Sequence, residues 1–140
     1  MNLVRSNYID KIVNLAKAEI QKDNFEVAWK HLEDAHIFSQ PDARMHIYVH
    51  CVMLTLALKS KNYIEVIGQL LRILLAGPSS VFKRYPIGNN GRSNVGLFES
   101  SLLPKRIEKK IQQLEKLEVI RKKSGGELPE HQRKHPFSRG

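Results

Sequence analysis

A short string occurs twice in this chain, and it cuts the first half into paired helices. Asp23-Asn24-Phe25-Glu26-Val27 returns 39 residues later as Asn62-Tyr63-Ile64-Glu65-Val66. Each copy follows one stretch of helical periodicity and opens another. Upstream of the first, Tyr8, Ile9, Ile12, Val13, Leu15, Ala16 and Ile20 recur at the spacing of one helix face, which predicts a helix over about Asn7 to Gln21. Downstream, Phe25, Ala28, Trp29, Leu32, Ala35 and His36 form the stripe of a second, over about Asn24 to Phe38. Asp23 with Glu26, and Asn62 with Glu65, have capping-box spacing: the first side chain accepts a free N–H of the new helix and the glutamate reaches back. Pro41 disfavours helical geometry at Gln40, and Asp42 caps the next helix.

That third helix, about Ala43 to Ser60, is apolar on nearly every side, as expected of the buried centre of a bundle. A fourth runs from the second copy to about Ala76, where Gly77-Pro78 should stop it. Two tandem helical hairpins of this kind predict an all-α, tetratricopeptide-like domain, although the period exceeds that class's 34 residues and only two units exist. At the same offset Glu33 corresponds to Arg72 and His36 to Leu75, so the first hairpin is polar where the second is not.

After Gly77 the composition changes. The segment to Leu103 is rich in turn formers, and Asn89-Asn90-Gly91 is spaced to close a short hairpin between Val81/Ile87 and Val95/Leu97, with an ordered loop expected over a sheet. Ile107, Ile111, Leu114 and Leu117 then mark a fifth, strongly charged helix to about Lys123, packing by one narrow stripe. The organisation expected is therefore a helical-hairpin domain over 1–103 that includes the loop 77–103, a basic amphipathic helix over 104–123, and a flexible basic tail over 124–140.

The 140 residues suit one domain. Lys11, Lys17 and Asp10 interrupt any leader-like apolar run, and Val49 to Leu58 is far shorter than the ~20 residues of a membrane span. A soluble, cytoplasmic protein without a membrane partner is expected. Cys51, the only cysteine, allows neither an internal disulfide nor a thiolate-only zinc site. Nor is it a dyad with His50, since neighbouring helical positions diverge by about 100°. No catalytic group is evident, and no reaction is assigned.

The segment His31 to Cys51 holds four of the six histidines. Across Pro41, His36 and His46 lie at similar depth in two antiparallel helices, as do Glu33 and His50. Glu33 and His36 share one face, and His46 and His50 share another. Glu33, His36, His46 and His50 are therefore candidate ligands for zinc, nickel, cobalt or iron, which imidazole and carboxylate suit. No second ExxH motif or further pair of inward glutamates completes a di-iron site. The competing expectation is that these histidines are packed and hydrogen-bonded to Ser39, Tyr48, Gln69 or backbone. His131 and His135, in the tail, are weak candidates.

Two further readings stand beside the metal site. Trp29, Tyr48, Gln69 and Arg72 would line a groove between the hairpins, binding a protein partner or a second copy as helical repeats do. The net charge of +9 is concentrated after Leu102 and raises nucleic-acid binding through Arg121, Lys122, Lys123, Arg133 and Lys134. Arg84 and Arg92 near Gly88 and Gly91 are candidate anion ligands, but no GxxxxGK[ST] loop or strand-GxGxxG-helix context surrounds them.

The strings AWKHLEDAHIFSQ, EVIGQLLRILLAGPSS and PIGNNGRSNV, with the His46 and His50 segment, resemble a small bacterial family catalogued as domain of unknown function 3703, over about residues 1–102. The resemblance implies a bacterial cytoplasmic protein without an established activity, whose relatives occur in metal-resistance neighbourhoods. Beyond about Pro104 the chain departs from that pattern, and the fifth helix and tail inherit nothing from it.

Overall fold

The computed structural model describes residues 2–81, 87–96 and 99–126, with the side chains of 76–81 left aside. Its described residues form five helices and no strand: α1 (Leu3–Gln21), α2 (Phe25–Ser39), α3 (Ala43–Lys59), α4 (Tyr63–Val81) and α5 (Lys105–Lys123). The chain is all-α. Short turns fold α2 onto α1 and α4 onto α3, and α2 packs on α3 to join the two pairs. The core lies between α1, α2 and α3, with Ile9, Val13, Leu32, Phe38, Val49, Met53 and Leu56 almost fully buried.

The two hairpin turns have the same construction. Asp23 (φ 59°) and Lys61 (φ 54°) each take the left-handed conformation. The next residue's N–H then returns to a carbonyl of the preceding helix, Asn24 to Glu19 at 3.0 Å and Asn62 to Ala57 at 2.9 Å, as in a Schellman closure. Asn24 and Asn62 occupy equivalent places, so the structural repeat is one position shorter than the sequence register. His36 therefore corresponds to Leu74, and Glu33 to Leu71. The capping boxes are corrected as well. Asp23 pairs with Lys59 at 2.9 Å, and Asn24 makes no side-chain cap. Asn62 does accept the Glu65 N–H at 3.2 Å, but the Glu65 carboxylate turns inward.

Helix ends differ from expectation in two other places. α1 starts at Leu3 rather than near Asn7, because the Asn2 side chain accepts the Arg5 N–H at 2.9 Å. α4 runs through Gly77-Pro78 to Val81. A proline forfeits one helical hydrogen bond, but its φ suits the spiral. Asp42 caps α3 as expected, accepting from Arg44 and Met45.

α5 lies against α1 with Ile107, Leu114 and Leu117 buried. Its Glu118 accepts the Val4 N–H at 3.2 Å, a carboxylate set at the positive end of α1. Arg106 grips Asp34 of α2 through two bonds of 2.6 and 2.7 Å.

α4 has its polarity reversed. The buried residues Glu65, Gln69 and Arg72 fall one helical turn apart on one stripe, whereas Ile64, Ile67, Leu70, Leu71, Leu74 and Leu75 are exposed, Ile64 at 78% and Leu74 at 72%. The polar stripe is the wall on which the candidate site is built.

Candidate metal centre beneath a structured loop

Pro41 separates α2 from α3, and helical spacing then brings His36 of α2 against His46 and His50 of α3. The three rings form a triangle with centroid separations of 4.5, 4.7 and 4.7 Å, and one nitrogen from each lies within 4.8 Å of the others. His36 and His50 are each only 2% exposed, while His46 reaches partly to the surface.

Their partners assign the protons. His36 Nδ1 lies 2.8 Å from the Asn89 carbonyl oxygen, an acceptor only, so Nδ1 carries the hydrogen and Nε2 the lone pair. His50 Nδ1 lies 2.8 Å from Gln69 Oε1. The orientation of that amide is fixed because its Nε2 donates to the Gly91 carbonyl at 2.9 Å and to Glu65 at 3.3 Å. His50 thus also has Nδ1–H and a bare Nε2. The two bare nitrogens face each other across 3.2 Å. His46 Nδ1 lies 3.3 Å from Ser39 Oγ, whose own hydrogen goes to the His36 carbonyl at 2.8 Å, which repeats the pattern.

All three rings are held neutral. Burial pushes His36 far below its ordinary value, helped by the charges His46, His50 and Arg72 would set against it. Burial likewise brings His46 down to about 3 and His50 to about 4; at His50 the bond to Gln69 opposes the drop, and at both the Arg72 charge adds to it.

A loop covers this group, and α4's polar stripe holds the loop. Glu65 is 3% exposed. Its carboxylate accepts from Arg92 Nε at 2.7 Å, from the Ser93 N–H at 3.1 Å and from Ser93 Oγ at 3.0 Å. Burial alone would raise its pKa; the bonds from Arg92, Ser93 and Gln69 outweigh that and hold it below the usual carboxylate value. Arg72 donates through Nη2 to the carbonyls of Arg92 at 2.7 Å and Val95 at 2.6 Å. Asn89, fully buried, bonds Gly96, Glu99 and the Gly91 N–H through its own amide. Gly91 sits at φ +80°, and a Cβ there would come 2.6 Å from the His36 ring; one on Gly68 would strike Ser93 Oγ. No strand forms among the described residues of this segment. Side-chain bonds take the place of a β ladder in ordering 87–96.

The other candidate residues fall as follows. Glu33 does not join the histidines: it faces Arg92 at 3.4 Å, because the guanidinium is its nearest opposite charge. Burial raises its carboxyl pKa, against the pull of Arg92. Trp29, Gln69 and Arg72 are buried, Trp29 at 7% exposed with the Arg92 guanidinium 4.1 Å above its ring. Tyr48 lies apart from them and accepts from Lys17 Nζ at 2.9 Å. Arg92 is engaged by Glu65, Glu33 and the Trp29 ring. Arg121 is paired with Glu118 at 2.8 Å, Lys122 lies 3.9 Å from the same carboxylate, and Lys123 is exposed. Arg84, His131, Arg133, Lys134 and His135 lie outside the described residues.

Sequence reasoning missed Glu65 and Asn89. The signal for Glu65 was present, since Glu65, Gln69 and Arg72 are the only strongly polar residues of an apolar helix and share one face. Asn89 gave no signal beyond turn propensity.

Among the described residues no helix is long and apolar enough to cross a membrane. No curated protein and no solved structure matches this chain. One family model, described as a protein of unknown function (DUF3703), does match over residues 4–111, extending past Pro104 into the first turns of α5, and the chain belongs to that family.

Proposed function

We propose that this protein binds one transition-metal ion through His36, His46 and His50, as a metal-handling protein of the bacterial cytoplasm. The observation that carries the reading is the pair of bare Nε2 atoms 3.2 Å apart, with both Nδ1–H groups donated to carbonyl oxygens. Two lone pairs pressed together in a buried site repel each other unless a cation lies between them. Two imidazoles bound at ~2.0–2.1 Å with tetrahedral geometry have their nitrogens about 3.3 Å apart. The Nδ1–H to carbonyl contacts are of the kind that fix the tautomer of a ligating histidine. Three neutral nitrogens with one further position suit zinc or cobalt best, with nickel and iron next. Glu33 is not part of this ligand set.

The test is elemental analysis of untagged protein purified without chelator, beside the His46→Ala/His50→Ala variant. About one equivalent of metal in the wild type, lost in the variant with helix content intact, is expected. A variant that still binds metal one to one would place the site elsewhere.

A second reading concerns α4. The tandem hairpins leave the apolar outer face of α4 exposed. That face, from Ile64 to Leu75, carries no charge, since Glu65 and Arg72 both point inward. A second copy of this chain brings no charged side chain into contact across that face, and apolar helix faces associate by mutual burial. We infer that α4 is a homodimer contact.

A further inference from the structure

Arg72 helps to hold the loop over the histidines, but that role uses only part of its guanidinium. It is 7% exposed. Nη2 is used on the loop carbonyls of Arg92 and Val95, but the buried Nε has no partner. A buried N–H left unpaired costs about 1–3 kcal/mol, so a position that retains it calls for a ligand. Arg72 stands one turn from Gln69, which accepts from His50 Nδ1 at 2.8 Å.

The charge balance points the same way. Around the histidines stand two guanidiniums, Arg72 and Arg92, and two carboxylates, Glu33 and Glu65. Arg92 sits between the carboxylates, 2.7 Å from Glu65 and 3.4 Å from Glu33. The four sum to zero, and the rings are neutral. A divalent cation would therefore bring two uncompensated positive charges to a buried group of three neutral histidines with no carboxylate among them. Uncompensated charge in such surroundings is costly.

We propose that the three-histidine site takes its metal together with a small inorganic anion, which occupies the fourth coordination position and is held by the Arg72 guanidinium. This rests on the metal-binding reading above. Arg72 then acts as a charge partner for the anion. Charge-assisted bonds from a guanidinium to an oxyanion are among the stronger polar contacts available.

The test uses full-length, chelator-stripped protein loaded with one equivalent of Co(II), whose visible bands report coordination. Azide and phosphate are titrated separately. Saturable band changes are expected in the wild type, with about tenfold or weaker anion affinity in Arg72→Met and partial recovery in Arg72→Lys, a tenfold step corresponding to about 1.4 kcal/mol. By linkage, phosphate should also tighten Co(II) binding to the wild type, which tests the idea without any variant. A Co(II) spectrum and affinity indifferent to both anions would overturn the proposal while leaving the metal reading standing. Absence of Co(II) uptake would overturn the metal reading itself, and this proposal with it.

Discussion

His36, His46 and His50 are individually ordinary residues on amphipathic helices, and their chemistry comes from what each Nδ1 touches. A carbonyl, a side-chain amide and a hydroxyl hold the three outer nitrogens, so the inner ones converge without protons. Keeping those rings neutral has a consequence for the metal-free protein. Folded-state pKa values lie below the unfolded value of about 6.5, so the unfolded chain binds protons that the native chain rejects. Stability is thus full above about pH 6.5 and falls as the pH drops toward the native values of about 4 at His50 and about 3 at His46. At pH 5 His46 and His50 each cost about 2 kcal/mol, and His36 adds in the same direction, a large share of the whole stability of a small domain. Urea unfolding in chelator should show the midpoint collapsing between pH 7 and pH 5. A flat midpoint over that range would contradict the neutral, buried assignment.

At the scale of the element, α4 and the loop 87–96 form one device. An ordinary surface helix would turn Ile64, Ile67 and Leu71 inward. Here the inner stripe is Glu65, Gln69 and Arg72, and each anchors loop backbone. Gly68 and Gly91 supply the close approach, Gly91 also the positive φ. Glu65 is the node with the most bonds to the loop. Replacing it with Gln keeps the shape but removes the charge that Arg92 and Ser93 bond, and such charged hydrogen bonds are worth about 1.5–3 kcal/mol. Trypsin cleavage after Arg92 in Glu65→Gln should therefore quicken by about tenfold or more, with the circular dichroism of the helices unchanged. Equal cleavage rates would mean that the loop is held by Asn89 and Arg72 alone.

At the scale of the whole molecule the proposed dimer contact rests on the exposed face of α4. Ile67 is 62% and Leu74 72% exposed, on a face without charge. Sedimentation of the wild type should report a concentration-dependent dimer, and Ile67→Glu with Leu74→Glu should give a monomer of unchanged helicity, because burying two carboxylates against two more is strongly unfavourable. A wild type that stays monomeric at high concentration would remove the dimer reading. α5 stands outside this contact: it is bound to α1 and α2 through Ile107, Leu114, Glu118 and Arg106. The family match ends at residue 111, so most of α5 lies beyond it, while its buried stripe is integral to the fold.

Periodicity alone determined the five helices, because the 3.6-residue recurrence of Ile9, Ile12, Val13 and Ile20, or of Ile107, Leu114 and Leu117, is a local property that burial merely ratifies. It also determined that His36, His46 and His50 would meet, since a proline turn between two helices leaves few other arrangements. Three things were decided by tertiary structure. Glu33 went to Arg92, a residue far along the chain, because pairing of opposite charges depends on which groups the fold brings near. The repeat shifted by one residue because backbone conformation at Asp23 and Lys61, and not side-chain likeness, sets the register. α4 turned its polar stripe inward because the loop's carbonyls and N–H groups needed partners there, a demand that exists only once the loop lies on the helix.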